Sequence, residues 1–194
     1  MKLMAKLVSS INVSWGGHCG HEAGIHDADM HAVMMESVRN AGSILLGRKT
    51  FELFEAFWPK AARNPKATPD LRAMGQALSL ASKVVISSTR QRSEWSHTTF
   101  VDGQPDFATA IQKLKADTPK MLLLFGSVAL HEKLSELNLV DEYEFVLQPM
   151  AIPGGPKLFE NLRERRDLAL VSMKSLASGV VILRYRPVAP RSPT

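Results

Sequence analysis

The sequence predicts an α/β protein built on a central mixed sheet, mostly parallel, with helices on both faces and antiparallel strands at its C-terminal side. Three observations carry that expectation. Apolar strand-like runs alternate with segments of helical period from the start of the chain to about residue 140, the pattern of repeated strand–helix units. Met121-Leu122-Leu123-Leu124-Phe125 is apolar without alternation, as in a strand covered on both faces. The last part of the chain then runs strand after strand, with Ala177-Ser178-Gly179 as turn residues between two of them. One domain over residues 1–187 accounts for all of this. The tail, 188–194, carries Pro190, Ser192 and Pro193 and is expected to be disordered.

The elements follow in order. Leu3 to Val13 reads as a buried strand. Asp27 to Ala41 reads as a helix, with Met30, Met34, Val38 and Ala41 on one face. Asp27 suits its N-cap, and Asp29 suits the positive end of the helix dipole. Ser43 to Leu46 is a short strand, and Gly47-Arg48-Lys49-Thr50 opens a helix to about Ala56. Phe57-Trp58-Pro59 should end that helix, because proline disfavours helical backbone at the residue before it. A loop from Lys60 to Pro69 leads to a helix over Asp70–Leu80. Strands follow at Lys83–Ser87 and His97–Val101, then a helix over Asp106–Ala116. After the Met121–Phe125 strand, Gly126-Ser127 opens a helix striped by Leu130, Leu134 and Leu137. Glu142–Pro149, Leu168–Leu176 and Val180–Arg186 are the closing strands.

Composition narrows the classes. The 194 residues are 45% hydrophobic and 22% charged, which is globular rather than disordered. No apolar run approaches the roughly 18 residues of a membrane span. Lys2 and Lys6 interrupt the opening, so no export signal is read, and the single cysteine, Cys19, permits no intrachain disulfide. A cytoplasmic location is the expectation. The net charge of +5 is scattered; Arg163, Arg165 and Arg166 are diluted by Glu160, Glu164 and Asp167, so neither nucleic acid nor a membrane is expected as partner.

Chemistry gathers where strands give way to helices. At Leu46-Gly47-Arg48-Lys49-Thr50, free N–H groups at a helix start, two cations and a hydroxyl make the parts of a phosphate site; the same parts also make a plain solvated helix start. Phe125-Gly126-Ser127 allows a ligand close to the backbone, or a simple cap. Ile86-Ser87-Ser88-Thr89-Arg90 offers three hydroxyls and an arginine, which suit a phosphate on a ribose, or a polar turn. All three lie at the C-terminal ends of strands, the edge where open α/β sheets bind ligands.

Taken in order, Leu46-Gly47-Arg48-Lys49-Thr50-Phe51-Glu52, Phe57-Trp58-Pro59, Val85-Ile86-Ser87-Ser88-Thr89, Phe125-Gly126-Ser127, Leu139-Val140-Asp141-Glu142-Tyr143 with Pro149, and Leu158-Phe159 give the chain a resemblance over residues 2–186. It resembles the dihydrofolate reductase-like proteins related to the C-terminal reductase domain of bacterial riboflavin biosynthesis enzymes. The resemblance implies a three-layer NADPH-binding fold, a small-molecule substrate and a homodimer paired through the C-terminal strands. It implies that Gly47, Arg48, Lys49 and Thr50 hold cofactor phosphates. Ser87, Ser88 and Thr89 would meet the adenosine ribose and its 2′-phosphate, with Arg90 adding charge. Gly126 and Ser127 would pass the diphosphate. NADPH is favoured over NADH because no acid stands in the run Ser87–Arg90 to receive a free 2′-hydroxyl.

Two stretches depart from the family pattern. Ser14-Trp15-Gly16-Gly17 has Gly16 where many relatives carry an aspartate, and Gly154-Gly155-Pro156-Lys157 breaks the usual glycine order. For the proton that accompanies a hydride, the candidates are His21, Asp27 and His31, whose alternative roles are loop polarity, helix cap and solvated helix face. His21 also matches a histidine found in a subset of the relatives. Trp58 is a candidate lining of the substrate pocket, or a core aromatic. His18, Cys19, His21 and His26 contain zinc-ligand types, but their spacing is that of no zinc finger or ribbon, and no metal is expected. The resulting expectation is an NADPH-dependent reductase of a small conjugated or carbonyl-like substrate, pterin- or riboflavin-precursor-like. The alternative is a nucleotide-binding regulatory module with little turnover.

Overall fold

The structure is a computed structural model that describes residues 4–189. Its elements are β1 (Leu7–Trp15), α1 (Ala28–Asn40), β2 (Ala41–Gly47), α2 (Arg48–Arg63), α3 (Pro69–Leu80), β3 (Lys83–Ile86), β4 (Thr98–Val101), α4 (Phe107–Asp117), β5 (Met121–Phe125), α5 (Val128–Glu136), β6 (Glu142–Ala151), β7 (Asp167–Ser175) and β8 (Val181–Val188). The strands form one sheet in the order β4-β3-β2-β5-β1-β6-β8-β7. The first six in that order are parallel; β8 runs antiparallel to β6, and β7 antiparallel to β8.

The alternation of side chains across the sheet makes the layers. In β5, Leu122 and Leu124 join Leu7, Ile11, Ile111, Leu130 and Leu134 on the face covered by α4 and α5. Leu123 and Phe125 join Val8, Ile44, Leu46, Phe51, Met74 and Leu78 on the face covered by α1, α2 and α3. The unbroken apolar run of β5 is therefore a strand with two dry faces, between β2 and β1.

Several boundaries differ from the sequence reading. β1 starts at Leu7 and continues to Trp15; Leu3 lies outside the described residues. The largest correction is α2, which runs through Trp58-Pro59 to Arg63 where a loop was expected. Pro59 costs the helix one hydrogen bond, and packing outweighs that loss. Trp58 and Ala61 are buried, and α3 approaches α2 at Gly75, where a Cβ would stand 2.9 Å from the Trp58 carbonyl oxygen and 2.8 Å from the Ala62 nitrogen. Leu137, expected in the apolar stripe of α5, follows the last helical residue and is exposed.

Lys83, at the start of β3, has no exposed surface. Its Nζ donates to the carbonyls of Leu78 (2.9 Å) and Ala81 (2.7 Å), closing the C-terminus of α3, and lies 4.6 Å from the Trp95 ring centre. Burial pushes its pKa down to about 8.

β8 lies between β6 and β7, so both its edges are paired within the chain; in the apolar run, Val180 and Ile182 are buried and Val181 and Leu183 half-buried. The outer edge is β7, where Leu170 (55%), Val171 (51%) and Met173 (67%) are exposed. β8 reaches Val188, opposite Asp167, and the rest of the expected tail from residue 190 lies outside the described residues.

Candidate active site

Because the strands from β4 to β6 run parallel, β3, β2, β5 and β1 all deliver their C-termini to one edge. The three junctions singled out in the sequence lie there on neighbouring strands, after β3, β2 and β5. Gly47 and Ser127 touch: a Cβ on Gly47 would collide with the Ser127 hydroxyl. A Cβ on Gly126 would meet the Thr50 side chain at 3.6 Å. Gly126 (φ 56) and Ser127 (φ 57) are both left-handed, a conformation that a non-glycine residue adopts at a cost of about 1–2 kcal/mol. Strain of this kind concentrates at functional turns.

Helix caps separate this place from its neighbours. α1 is capped by Asp27 and α4 by Asp106. α3 also starts without a side-chain cap but carries Asp70 in its first turn, whereas α2 and α5, which start side by side at Gly47 and Ser127, have neither a side-chain cap nor a first-turn acid. Their first N–H groups and the positive ends of both dipoles face the same edge without a carboxylate to neutralise them. The residues present therefore fit a phosphate-bearing cofactor. Lys49 is exposed, whereas the Arg48 guanidinium pairs with Glu52 on the next turn at 2.9 Å.

The loop after β3 divides its labour. Ser87 is buried, and its hydroxyl accepts the backbone N–H groups of Arg90 (2.8 Å) and Thr89 (3.3 Å), so it shapes the turn. Ser88 and Thr89 are exposed. Arg90 folds back over Phe51 and is held by Glu55 of α2 at 2.7 and 3.0 Å. The run Ser87–Arg90 itself holds no acid; the fold brings one in from another element.

On the α1 side, the candidates separate. His21 is exposed, with Nδ1 3.3 Å from a Glu22 oxygen. Asp27 accepts the Met30 N–H at 2.8 Å, and that bond holds its carboxyl below the ordinary range. It is an ionised cap, which disqualifies it as a proton donor at neutral pH. His31, one turn into α1, is buried and its Nδ1 lies 2.6 Å from Asp70 of α3. The hydrogen bond from His31 is the main cause that takes Asp70 down to about 2. An ionised Asp70 only accepts, so Nδ1 carries the proton and Nε2 is left for a second partner. Trp58 is buried in the aromatic core of α2, its ring centre 6.2 Å from that of His31. His26 lies 6.4 Å from His31, nearly parallel to it, and burial is the main cause that lowers its pKa.

The loops after β1 and β6 are zipped together. The Cys19 N–H donates to the Pro156 carbonyl (2.9 Å), the Leu158 N–H to Gly17 (2.8 Å), and His18 Nδ1 lies 2.7 Å from the Gly154 carbonyl oxygen. Burial pushes the Cys19 thiol up to about 11, which removes it as a nucleophile. Gly16 (φ 92) and Gly17 (φ 85) turn the chain with open space around them. His18 and Cys19 point into this seam, His21 to solvent and His26 to His31. Among the described residues, no group of three or more His, Cys, Asp or Glu side chains could hold a metal ion. Among the same residues, no helix is long and apolar enough to cross a membrane.

The chain belongs to the RibD C-terminal domain family, which matches residues 1–182. It is 27% identical over 161 residues to the uncharacterized protein YyaP of Bacillus subtilis (strain 168), covering 83% of this chain and 81% of that one. In fold it is similar to a putative riboflavin biosynthesis protein from Shewanella sp. PV-4, with a TM-score of 0.65, 14% identity, and 95% and 99% of the two chains covered. It is also similar to the dihydrofolate reductase of Enterococcus faecalis complexed with NADP(H), with a TM-score of 0.62, 13% identity, and 95% and 99% covered. The fold is thus dihydrofolate reductase-like, and the family supports a reductase-type function.

Proposed function

We propose that the chain is a reductase that uses NADPH to reduce a small conjugated or carbonyl-like substrate of pterin or riboflavin-precursor type. The observation that carries this reading is the pair of helix starts, α2 and α5, that meet at Gly47 and Ser127 with neither a side-chain cap nor an acid in the first turn. The N–H groups of Arg48, Lys49 and Thr50 and the turn at Gly126-Ser127 take the diphosphate. Ser88 and Thr89 face the adenosine ribose and its 2′-phosphate. When bound, the cofactor supplies the hydride. On the α1 side, Asp70 holds the Nδ1–H of His31 and leaves Nε2 facing the substrate. A proton taken up from solvent at Nε2 makes the imidazolium, which passes that proton to the substrate atom that receives the electron pair and returns to the Nδ1–H form. A second copy, docked on the exposed apolar edge of β7, is the proposed partner.

Titration calorimetry with NADPH tests the site, and saturable binding with a Kd on the order of micromolar is expected. No binding at millimolar NADPH overturns the reading. Loss of NADPH absorbance over a panel of pterins, flavin precursors and quinones then tests turnover. A second reading, a nucleotide-binding module without turnover, is favoured by the capping role of Asp27 and by Gly16 in place of an acid. Tight NADPH binding with no oxidation across the panel would select it.

A further inference from the structure

We propose that Glu55 determines how strongly this site recognises a 2′-phosphate, and hence how far it distinguishes NADPH from NADH. The proposal rests on the reading of the β2–β3–β5 edge as a nucleotide site. An acid beside an adenosine ribose suits a free 2′-hydroxyl, whereas an arginine there suits a 2′-phosphate. This chain places one of each at the same point, bound to each other. Glu55 reaches from α2 to the loop after β3, where its oxygens lie 2.7 and 3.0 Å from Arg90 Nη2. It also accepts the Ser93 hydroxyl at 2.5 Å.

The pair is fixed by more than its own attraction. The Arg90 guanidinium lies 5.0 Å from the Phe51 ring centre and 5.8 Å from that of Phe100. Its Nε donates to the Arg92 carbonyl at 3.1 Å. Arg90 is thereby held against α2 with its charge offset by Glu55. One turn earlier the same arrangement recurs, with Arg48 on Glu52 at 2.9 and 3.1 Å. Both arginines expected to face the cofactor phosphates therefore carry an α2 carboxylate. A phosphate dianion that approaches Arg90 meets the charge of Glu55 a few ångströms behind it. The pair is about a quarter exposed, 28% for Arg90 and 26% for Glu55, so solvent screens this repulsion without cancelling it.

The test uses two probes that differ only in the 2′-phosphate, adenosine 2′,5′-bisphosphate and AMP, titrated calorimetrically into the full chain. Glu55→Gln removes the charge and keeps an acceptor for Ser93. It is expected to tighten the bisphosphate about fivefold or more and to leave AMP within about twofold. Arg90→Gln is expected to remove the preference for the bisphosphate over AMP. It keeps the proposal decidable should Glu55→Gln not fold. If Glu55→Gln leaves the ratio of the two affinities unchanged, or tightens both probes equally, Glu55 is only a loop anchor and the proposal fails. An unchanged ratio in Arg90→Gln has the same consequence. If neither probe binds the wild type or either variant, the nucleotide-site reading itself falls.

Discussion

Acid should destabilise this protein through a buried imidazole. His131 on α5 has no exposed surface, and its Nδ1 sits 2.7 Å from the Ser9 hydroxyl of β1. The other nitrogen is buried without a hydrogen-bond partner, and the ring lies among Phe159, Tyr143 and Phe145 with centres 4.9, 5.5 and 6.2 Å away. An imidazolium there would put a charge among aromatic rings, so burial takes the pKa from 6.5 down to about 4. The sign follows from which state binds the proton first. As pH falls through 6.5 the unfolded chain takes it up and the folded chain does not. The His131 contribution is therefore flat above about pH 7 and lost progressively between 6.5 and 4. At 1.36 kcal/mol per pH unit the full loss is about 3 kcal/mol, of which about 2 kcal/mol has gone by pH 5. Urea unfolding at pH 7, 6 and 5 measures it, with the double variant Ser9→Ala/His131→Leu as reference. Leucine removes the titration, and alanine removes the hydroxyl that would be left unpaired in the core. The wild type should lose about 2 kcal/mol more than the double variant between pH 7 and 5. Parallel pH dependences would refute the reasoning.

Arg48→Ala should weaken NADPH about three- to tenfold with an unchanged Tm, because Arg48 is half-exposed and leaves no cavity; a fallen Tm with intact affinity would make it structural. Gly47→Ala should lower NADPH affinity by about tenfold or more in calorimetry, since the new Cβ displaces the Ser127 hydroxyl from the junction of the two helix starts. His31→Gln should leave NADPH affinity within about twofold while cutting turnover about a hundredfold and removing one limb of its pH profile; an unaltered profile would leave His31 as a tie between α1 and α3. Sedimentation at micromolar concentration should show a dimer, and Met173→Glu on the exposed β7 edge should make it a monomer.

The sheet was legible because its signals are local. Met121–Phe125 could be nothing but a strand with two covered faces, and Asp27 and Asp106 cap the helices they precede in sequence. What failed was the end of α2. The local rule at Trp58-Pro59 is sound, but it weighs one hydrogen bond against nothing. The opposing contribution comes from Gly75, sixteen residues on, whose bare Cα admits the α2 backbone. A rule that reads neighbours in sequence cannot register a contact of that range. Lys83 is a different case: the carbonyls that hold it lie only five and two residues back, at the end of the preceding helix, and the contact the sequence does not mark is the Trp95 ring, twelve residues on.

The candidate site divides along the same line. Its backbone half, Gly47 with Thr50 and Gly126 with Ser127, is written in strand–glycine–helix order and could be read directly. Its side-chain half could not, because each polar group there is defined by a partner from another element. Arg90 read alone is a free cation beside three hydroxyls; with Glu55 it is half of an ion pair. Ser87 read alone is a ligand for ribose; in the fold its hydroxyl is taken by two backbone N–H groups. His31 read alone is a solvated helix position, yet Asp70, thirty-nine residues later, makes it the one histidine among the proton candidates with a fixed tautomer. In the proposed site, backbone geometry sets where a phosphate-bearing ligand would bind, and long-range carboxylates would set the site's charge and its protons. Substitutions at Glu55 and Asp70 should therefore alter selectivity and pH dependence, and those at Gly47 binding itself.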